Sequence, residues 1–380
     1  MGEKNILYIG GFELPDKNAA AHRVVSIARM LRELGFYVVF LNRTTDNTFN
    51  GEQKNYYGFK CIEIKKHLNK ISRLKELFDI SYVVHWLNTN EDIWAIIAYN
   101  YPAIALNRLR GICKKRGILC IADVTEWYGV MDRSLVYKFT KSLDIAFRMK
   151  YVHKKIDGVI VISSYLEEYY KSFLPVVKIP PLVDTNDLKW TFKDIKKHKG
   201  IRFVYAGTPS REKEKLDSMI KSIEYLSRKY DVYLDIVGIS KEQFINIYNY
   251  NRPIKNVSFH GRLSHVDTLK LVAKDDYSII IRDENRVTIA GFPTKFVESI
   301  TCGTKVVANS VGDLTDYLKT GDLGFLVHST NIKDITSILE IAIRNKGKKI
   351  VNKKIFDYRC YINIFACFVE TMSQKRRGIK

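Results

Sequence analysis

The sequence predicts an α/β protein built from two doubly wound, parallel-sheet domains, and three observations carry that reading. Residues 4–42 run as strand (NILYIGG), loop, amphipathic helix and strand (YVVFLN), which is one βαβ unit. The alternation stops in a polar run, KDIKKHKG, and then begins again. At 380 residues the chain is too long for one ordinary core.

The first array is justified element by element. Val24, Ile27, Ala28, Leu31 and Leu34 recur at helical spacing, and Gly35 ends that helix. Apolar runs WAIIAYN at 94–100, ILCIADV at 118–124 and GVIVISS at 158–164 read as buried strands, with helical segments between them. Ser164 and Glu167 are spaced as a capping box for the helix that follows. In the second array, strands IRFVYAG, VYLDIVG, NVSFHG, YSIII, KVVANS and FLV alternate with helices between about Lys213 and Asn345. The predicted division is residues 1–184, a linker at 185–200, a second domain at 201–350, and a final segment at 351–380 that can cross back onto the first domain. Ligands of such sheets lie at the carboxyl ends of the strands, so a cleft between two facing domains is the expected site.

Composition narrows the partners. Lys and Arg number 62 against 41 Asp and Glu, a formal charge of +21, which suits a polyanionic partner: anionic lipid, a phosphorylated substrate or nucleic acid. No RRM, zinc-finger or helix-turn-helix signature is present, so nucleic acid is not expected. Six cysteines without a CxxC pair read as reduced thiols rather than a disulfide framework or a zinc site. The start, MGEKNILYIGG, lacks the pattern of a signal peptide. The longest apolar stretch, Ile93 to Leu106, contains Asn100 and Pro102 and is too short to span a bilayer.

The most informative stretch is GFPTKFVESITCGTKVVA at 291–308: loop, helix, Gly stop and buried strand, with Glu298 inside the helix. It puts an acid near a helix N-terminus, an arrangement that can hold a sugar hydroxyl close to a phosphate. Together with YAGTPSREKEKLDSMIKSI at 205–223 and FHGRLSH at 259–265, this second half resembles the donor-binding domain of a retaining, family 4 type glycosyltransferase. The forms AGFPTKFVES and IADVTEWYG are similar to the branch that builds capsular and other bacterial surface polysaccharides.

The resemblance implies a GT-B fold of two Rossmann-like domains and transfer of a sugar from a UDP- or GDP-type donor to a glycan, often lipid-linked, at the cytoplasmic face of the cell membrane. Glu298 then matches the acid that binds ribose hydroxyls. The family's companion acid, eight positions earlier, is Ala290 here. Asp283, Glu284, Arg282 or Arg286 of IIIRDENRV are substitutes for it, and a catalytically inactive scaffold is the alternative reading. Arg211 and Lys213, or Lys215 by a different spacing, match the cations that meet the leaving diphosphate. Gly291, Thr294 and Lys295 offer amide groups to the same phosphates. With cations in that role no metal or other cofactor is expected, and the sequence holds no DxD motif.

The first domain is assigned the acceptor. Gly10 and Gly11 end the first strand and either let substrate approach the backbone or form a tight turn, with His22 nearby. Asp123 and Glu126 follow ILCIADV and are predicted to point from its carboxyl end, Glu126 standing where many relatives carry a His that meets the acceptor hydroxyl. Leu135, Phe139, Leu143, Ala146 and Met149 form an apolar stripe, with Lys141, Arg148 and Lys155 on the opposite face. Arg108, Arg110, Lys114, Lys115 and Arg116 add to that charge, so this surface is expected to rest on anionic lipid.

Overall fold

The computed structural model describes residues 4–15, 18–44, 53–65, 75–127, 135–192, 198–209, 213–346, 350 and 352–378. The chain forms two compact units, Met1–Val183 with Asp357–Lys380, and Asp184–Phe356.

In the first unit the order is β1 (Lys4–Gly10), α1 (Ala19–Glu33), β2 (Phe36–Thr44), β3 (Gln53–Tyr56), β4 (Phe59–Lys65), α2 (Ser81–Thr89), β5 (Ile93–Tyr99), α3 (Ala103–Arg116), β6 (Leu119–Val124), α4 (Leu135–Phe147), β7 (Gly158–Val161), α5 (Ser164–Tyr170) and β8 (Val176–Lys178). The sheet runs β3-β4-β2-β1-β5-β6-β7-β8. The pairs are parallel except β3 with β4, an antiparallel hairpin at the edge that the sequence reading does not contain. Strands buried on both faces need apolar residues at successive positions, and Ile6 to Ile9 of β1 are all fully buried.

Asn18 caps α1 by accepting from the Ala21 amide at 3.1 Å. The cap of α5 is Ser163 rather than Ser164: Ser163 is the last extended residue and accepts from Leu166, while Ser164 is already helical and its hydroxyl accepts from Lys178 Nζ at 2.7 Å. Beyond Phe147 the chain widens into a π turn at Arg148–Val152, and this changes the facing of residues read as one continuous helix. Arg148 is therefore buried, donating to the carbonyls of Asn100 and Tyr101 at 3.1 and 3.2 Å, instead of joining an exposed basic face. Leu143, read as part of the apolar stripe, is exposed, as are Phe147 and Tyr151.

The second unit contains β9 (Ile201–Ala206), α6 (Leu216–Leu226), β10 (Val232–Val237), α7 (Lys241–Tyr248), β11 (Val257–Phe259), α8 (His265–Lys274), β12 (Tyr277–Ile280), α9 (Arg286–Ala290), α10 (Thr294–Cys302), β13 (Lys305–Asn309), α11 (Leu314–Leu318), β14 (Gly324–Val327) and α12 (Ile332–Arg344). Its sheet is β11-β10-β9-β12-β13-β14, parallel throughout. Phe203 and Tyr205 of β9 face one core with Met219, Ile223, Leu339 and Ala342, while Val204 faces the other with Leu269, Val272 and Cys302. Trp190 and Phe192, from the stretch read as a linker, pack on this second cluster.

The chain ends in α13 (Ile362–Arg377), which packs Phe365, Phe368, Val369 and Met372 against the first unit's core beside Ile6, Tyr8 and α1. Lys375 Nζ donates to the Asp157 carbonyl at 2.9 Å, and Arg376 donates to the carbonyls of Gly117 and Ile93 at 3.0 and 2.8 Å. Basic side chains in the last turn of this helix thus satisfy carbonyls of the unit it covers.

Candidate active site

In the second unit the chemistry-bearing side chains gather where β9, β12 and β13 end. Segment 213–215 lies antiparallel beside 281–283: the Lys215 amide donates to the Ile281 carbonyl at 2.9 Å, and the Asp283 amide to the Lys213 carbonyl at 3.1 Å. Asn309, the last residue of β13, fixes the same segment from the other side, accepting from the Arg282 amide at 2.8 Å and donating to the Arg282 carbonyl at 2.9 Å. Two backbone clamps of this kind hold Arg282 and Glu214 across from each other.

Glu214 is buried, and Lys295 donates to it at 3.1 Å and to the Tyr205 hydroxyl at 2.9 Å. Arg282 Nε lies 3.9 Å from the same carboxylate oxygen. Burial pulls the Lys295 ammonium below its ordinary value, and the Glu214 charge opposes that shift. Burial, with Glu214 second, pushes the Tyr205 hydroxyl well above its ordinary range. The strand ends can come close together here because Gly238 has no Cβ, which would strike the Gly207 carbonyl.

Lys295 belongs to the first turn of α10, whose N-terminus at Pro293 has no side-chain cap. Phe292, Phe296, Tyr317 and Phe356 lock this turn with ring centroids 5.1 to 6.1 Å apart. An unfilled helix N-terminus beside cations is a place for an anion. Glu298 follows Lys295 three residues on, and its carboxylate accepts from His265 Nε2 at 3.0 Å.

Other residues singled out from the sequence fall differently. Arg211 lies outside the described residues. The Gly291 amide already donates to the Val287 carbonyl at 3.2 Å, closing α9, so among the loop amides it is not on offer to phosphate. Thr294 opens α10 and is half-buried. Ala290 is fully buried at the end of α9, a helix capped by Asn285 through the amides of Val287 and Thr288. Of its possible substitutes, Arg282 and Asp283 lie at the clamped segment, and Asp283 pairs with Lys215 at 2.8 Å. Glu214, Tyr205, His265 and Asn309 were not read as site residues: each reaches the cluster from a separate element, although Glu214 sits between two lysines in a stretch already singled out.

In the first unit Asp123 lies within β6, not beyond it, and is fully buried. It accepts from the Tyr8 hydroxyl at 2.6 Å and from Arg23 Nε at 2.8 Å, with Arg23 Nη2 2.7 Å away in the same ion pair, while Arg23 also donates to the Ile179 carbonyl at 2.8 Å. A carboxylate enclosed in this way ties β1, α1 and β6 together; it does not point from a strand end. Burial, with Asp123 second, pushes the Tyr8 hydroxyl well above its ordinary range. Gly10 is likewise occupied by packing, since a Cβ there would lie 2.6 Å from the Phe12 ring and 3.0 Å from Tyr99. Gly11 is exposed, and His22 is half-buried on α1.

Glu126 does follow the end of β6 and is half-buried. Its neighbours hold it: Thr125 accepts from Asn100 Nδ2 at 2.8 Å, and Trp127 packs edge-on against Tyr169 at 5.0 Å. Burial pushes the nearby Tyr99 hydroxyl up to about 12, with smaller contributions from the charges of Asp123 and Glu126. Among the described residues no cluster of three or more His, Cys, Asp or Glu is arranged to hold a metal ion. Among them, too, no helix is long and apolar enough to cross a membrane.

Two Rossmann-like units with parallel sheets define the fold as GT-B. Residues 187–354 match the family Glycosyl transferases group 1. The chain is 22% identical over 355 residues to an uncharacterized glycosyltransferase of Methanocaldococcus jannaschii, covering 91% of this chain and 88% of that one. Sucrose-phosphate synthase of Thermosynechococcus elongatus superposes with a TM-score of 0.73 at 14% identity, over 98% of this chain and 100% of that one. HepE of Anabaena, solved in complex with UDP-glucose, superposes with a TM-score of 0.63 at 14% identity, over 97% and 99%. The family match and the shared fold support a GT-B glycosyltransferase.

Proposed function

We propose that the chain is a retaining glycosyltransferase of the family 4 type that moves a sugar from a UDP- or GDP-sugar to a glycan acceptor, carried on a lipid, in the synthesis of a surface or capsular polysaccharide. The observation that carries this reading is the cluster in the second unit, where Lys295 and Arg282 meet buried Glu214 at the uncapped N-terminus of α10, the helix that carries Glu298 about one turn further on. Cations and amides of that kind stabilise the charge that grows on a leaving diphosphate, and a carboxylate can accept from two neighbouring ribose hydroxyls. The donor pose follows: phosphates at the start of α10 and at Lys295, ribose at Glu298. Lys213 and Thr294 complete the phosphate side.

In a retaining transfer by front-face attack, the acceptor hydroxyl enters on the side the diphosphate leaves. The bond from the anomeric carbon to the acceptor oxygen forms as its bond to the phosphate oxygen breaks, and the acceptor proton passes to the departing phosphate. No covalent enzyme nucleophile takes part. Glu126, held at the end of β6, is the residue we assign to orienting the acceptor hydroxyl; Asp123, enclosed within the first unit, is not.

The membrane reading rests on a different surface from the one the periodicity suggested. Leu143, Phe147 and Tyr151 form an exposed row, with Phe147 and Tyr151 stacked at 5.3 Å and Lys155 Nζ 3.8 Å from the Tyr151 ring. Apolar rings flanked by lysines suit insertion among anionic headgroups at the inner face of the cell membrane. The alternative, a scaffold without activity, is favoured by one feature: the fully buried Ala290 in place of the companion acid. Incubation with a panel of UDP- and GDP-sugars and membrane lipid extract separates the two. Release of nucleotide with a glycosylated, anomerically retained product supports the enzyme, and nucleotide binding without turnover supports the scaffold.

A further inference from the structure

We infer that His265 is a positioning residue for Glu298, holding its carboxylate in the orientation that receives the ribose; this rests on the ribose contact proposed above. His265 opens α8 directly after Ser264, which caps the helix by accepting from Asp267 at 3.1 Å, so the imidazole projects from a fixed helix end. Its Nε2 lies 3.0 Å from Glu298 Oε1, with both side chains about a quarter exposed. The distance between the two helices is set from below. The Thr304 hydroxyl donates to the Val272 carbonyl at 2.6 Å, and Cys302 Sγ reaches the Leu269 carbonyl at 3.7 Å. Leu269, Val272 and Cys302 are buried in one cluster.

A carboxylate presents about four lone-pair directions, and the imidazole takes one of them on Oε1. The second oxygen and the remaining direction on the first stay available to the two ribose hydroxyls. Without the ring, Glu298 is a partly exposed side chain with three rotatable bonds, and each contact with ribose must then order it. His265 thereby tunes how strongly the site distinguishes ribose from deoxyribose without itself touching the nucleotide.

The test measures affinity of the full-length protein for UDP and GDP and for their 2′-deoxy forms, in wild type, His265→Ala, His265→Gln, His265→Asn and Glu298→Ala. Wild type prefers the ribonucleotide, and Glu298→Ala lowers that preference about tenfold, as expected for a hydrogen bond to a charged group. His265→Ala lowers it roughly two- to fivefold, the range of a partly exposed pair. Gln, whose amide nitrogen can occupy the Nε2 position, restores the preference, whereas the shorter Asn does not. A merely structural His would leave the ribose preference unchanged and alter thermal stability alone. If His265→Ala keeps the full preference while Glu298→Ala loses it, the inference is overturned and the ribose site stands. If Glu298→Ala is also without effect, the ribose reading itself falls and takes the inference with it.

Discussion

Lys295 and Glu214 form an ion pair of 3.1 Å at the start of α10, and both side chains are largely withdrawn from water. Glu214 therefore holds the ammonium at the strand ends. Because a lone buried charge is costly, the pair serves the fold as well as the proposed site.

Lys295→Ala should cost on the order of 3 kcal/mol, because it removes the cation 3.1 Å from buried Glu214 and leaves the more distant Arg282 Nε, at 3.9 Å, facing that carboxylate. The double variant Lys295→Met with Glu214→Leu removes both charges but also takes the carboxylate away from buried Arg282, so it should recover only part of that stability. If Lys295 meets the diphosphate, the double variant still binds nucleotide sugar at least about tenfold more weakly than wild type. Urea unfolding and a binding titration on the same samples check both statements, and wild-type affinity in the double variant would remove Lys295 from the site.

In the first unit Asp123→Ala should destabilise by roughly 3–5 kcal/mol, since Arg23 and the Tyr8 hydroxyl lose a buried partner. Glu126→Ala, half-buried at the end of β6, should leave unfolding nearly unchanged while lowering kcat more than nucleotide affinity. Steady-state kinetics beside denaturant titrations distinguish the two carboxylates. Equal loss of stability in both variants would contradict the separation.

Asp275 stands at the C-terminus of α8, where the helix dipole already disfavours an anion, and among the described residues neither carboxylate oxygen has a hydrogen-bond donor. Burial, then the charge of Asp235, pushes its carboxyl up to about 8. Asp235 itself accepts from Arg202 at 2.8 Å and faces His260 at 2.6 Å, and Lys274 and Asp276 flank the group. The folded chain thus keeps a proton that the unfolded chain releases near pH 4, roughly the ordinary carboxylate value. Folding stability from this group is present in full below about pH 4 and declines as pH rises toward about 8, where folded Asp275 ionises. Asp275→Asn should flatten that decline and raise stability at pH 8 by roughly 1–3 kcal/mol. Chemical denaturation from pH 5 to 9 shows the effect, and an unchanged slope in the variant would refute it.

Replacing Leu143 and Phe147 by Ser should weaken sedimentation with vesicles containing phosphatidylglycerol at least about threefold, while leaving nucleotide binding intact. Both side chains are exposed, so the fold loses little. Equal sedimentation of wild type and variant would shift attention from this row to other basic surfaces.

Much of the architecture is legible in the chain because parallel strands buried on both faces must be apolar at successive positions, as in WAIIAYN and ILCIADV. The edge hairpin is not, since QKNY of β3 is polar and β3 pairs on one side only. Helical periodicity misled where a π turn at Arg148–Val152 altered the facing and buried Arg148. Asp123 was read one step too far along its strand; only the three-dimensional approach of Tyr8 and Arg23 reveals that it is interior. Glu298 and Lys295 of the candidate site stand together in one local motif, GFPTKFVES. Glu214 and His265 were not, because each meets that motif from more than thirty positions away in the chain.

The most direct test of the account is a calorimetric titration of the purified protein with UDP- and GDP-sugars, repeated on Glu298→Ala. The account predicts saturable binding of at least one nucleotide sugar to wild type and binding at least about tenfold weaker in the variant. Absence of binding by any member of the panel, or equal affinity in the two proteins, would contradict it.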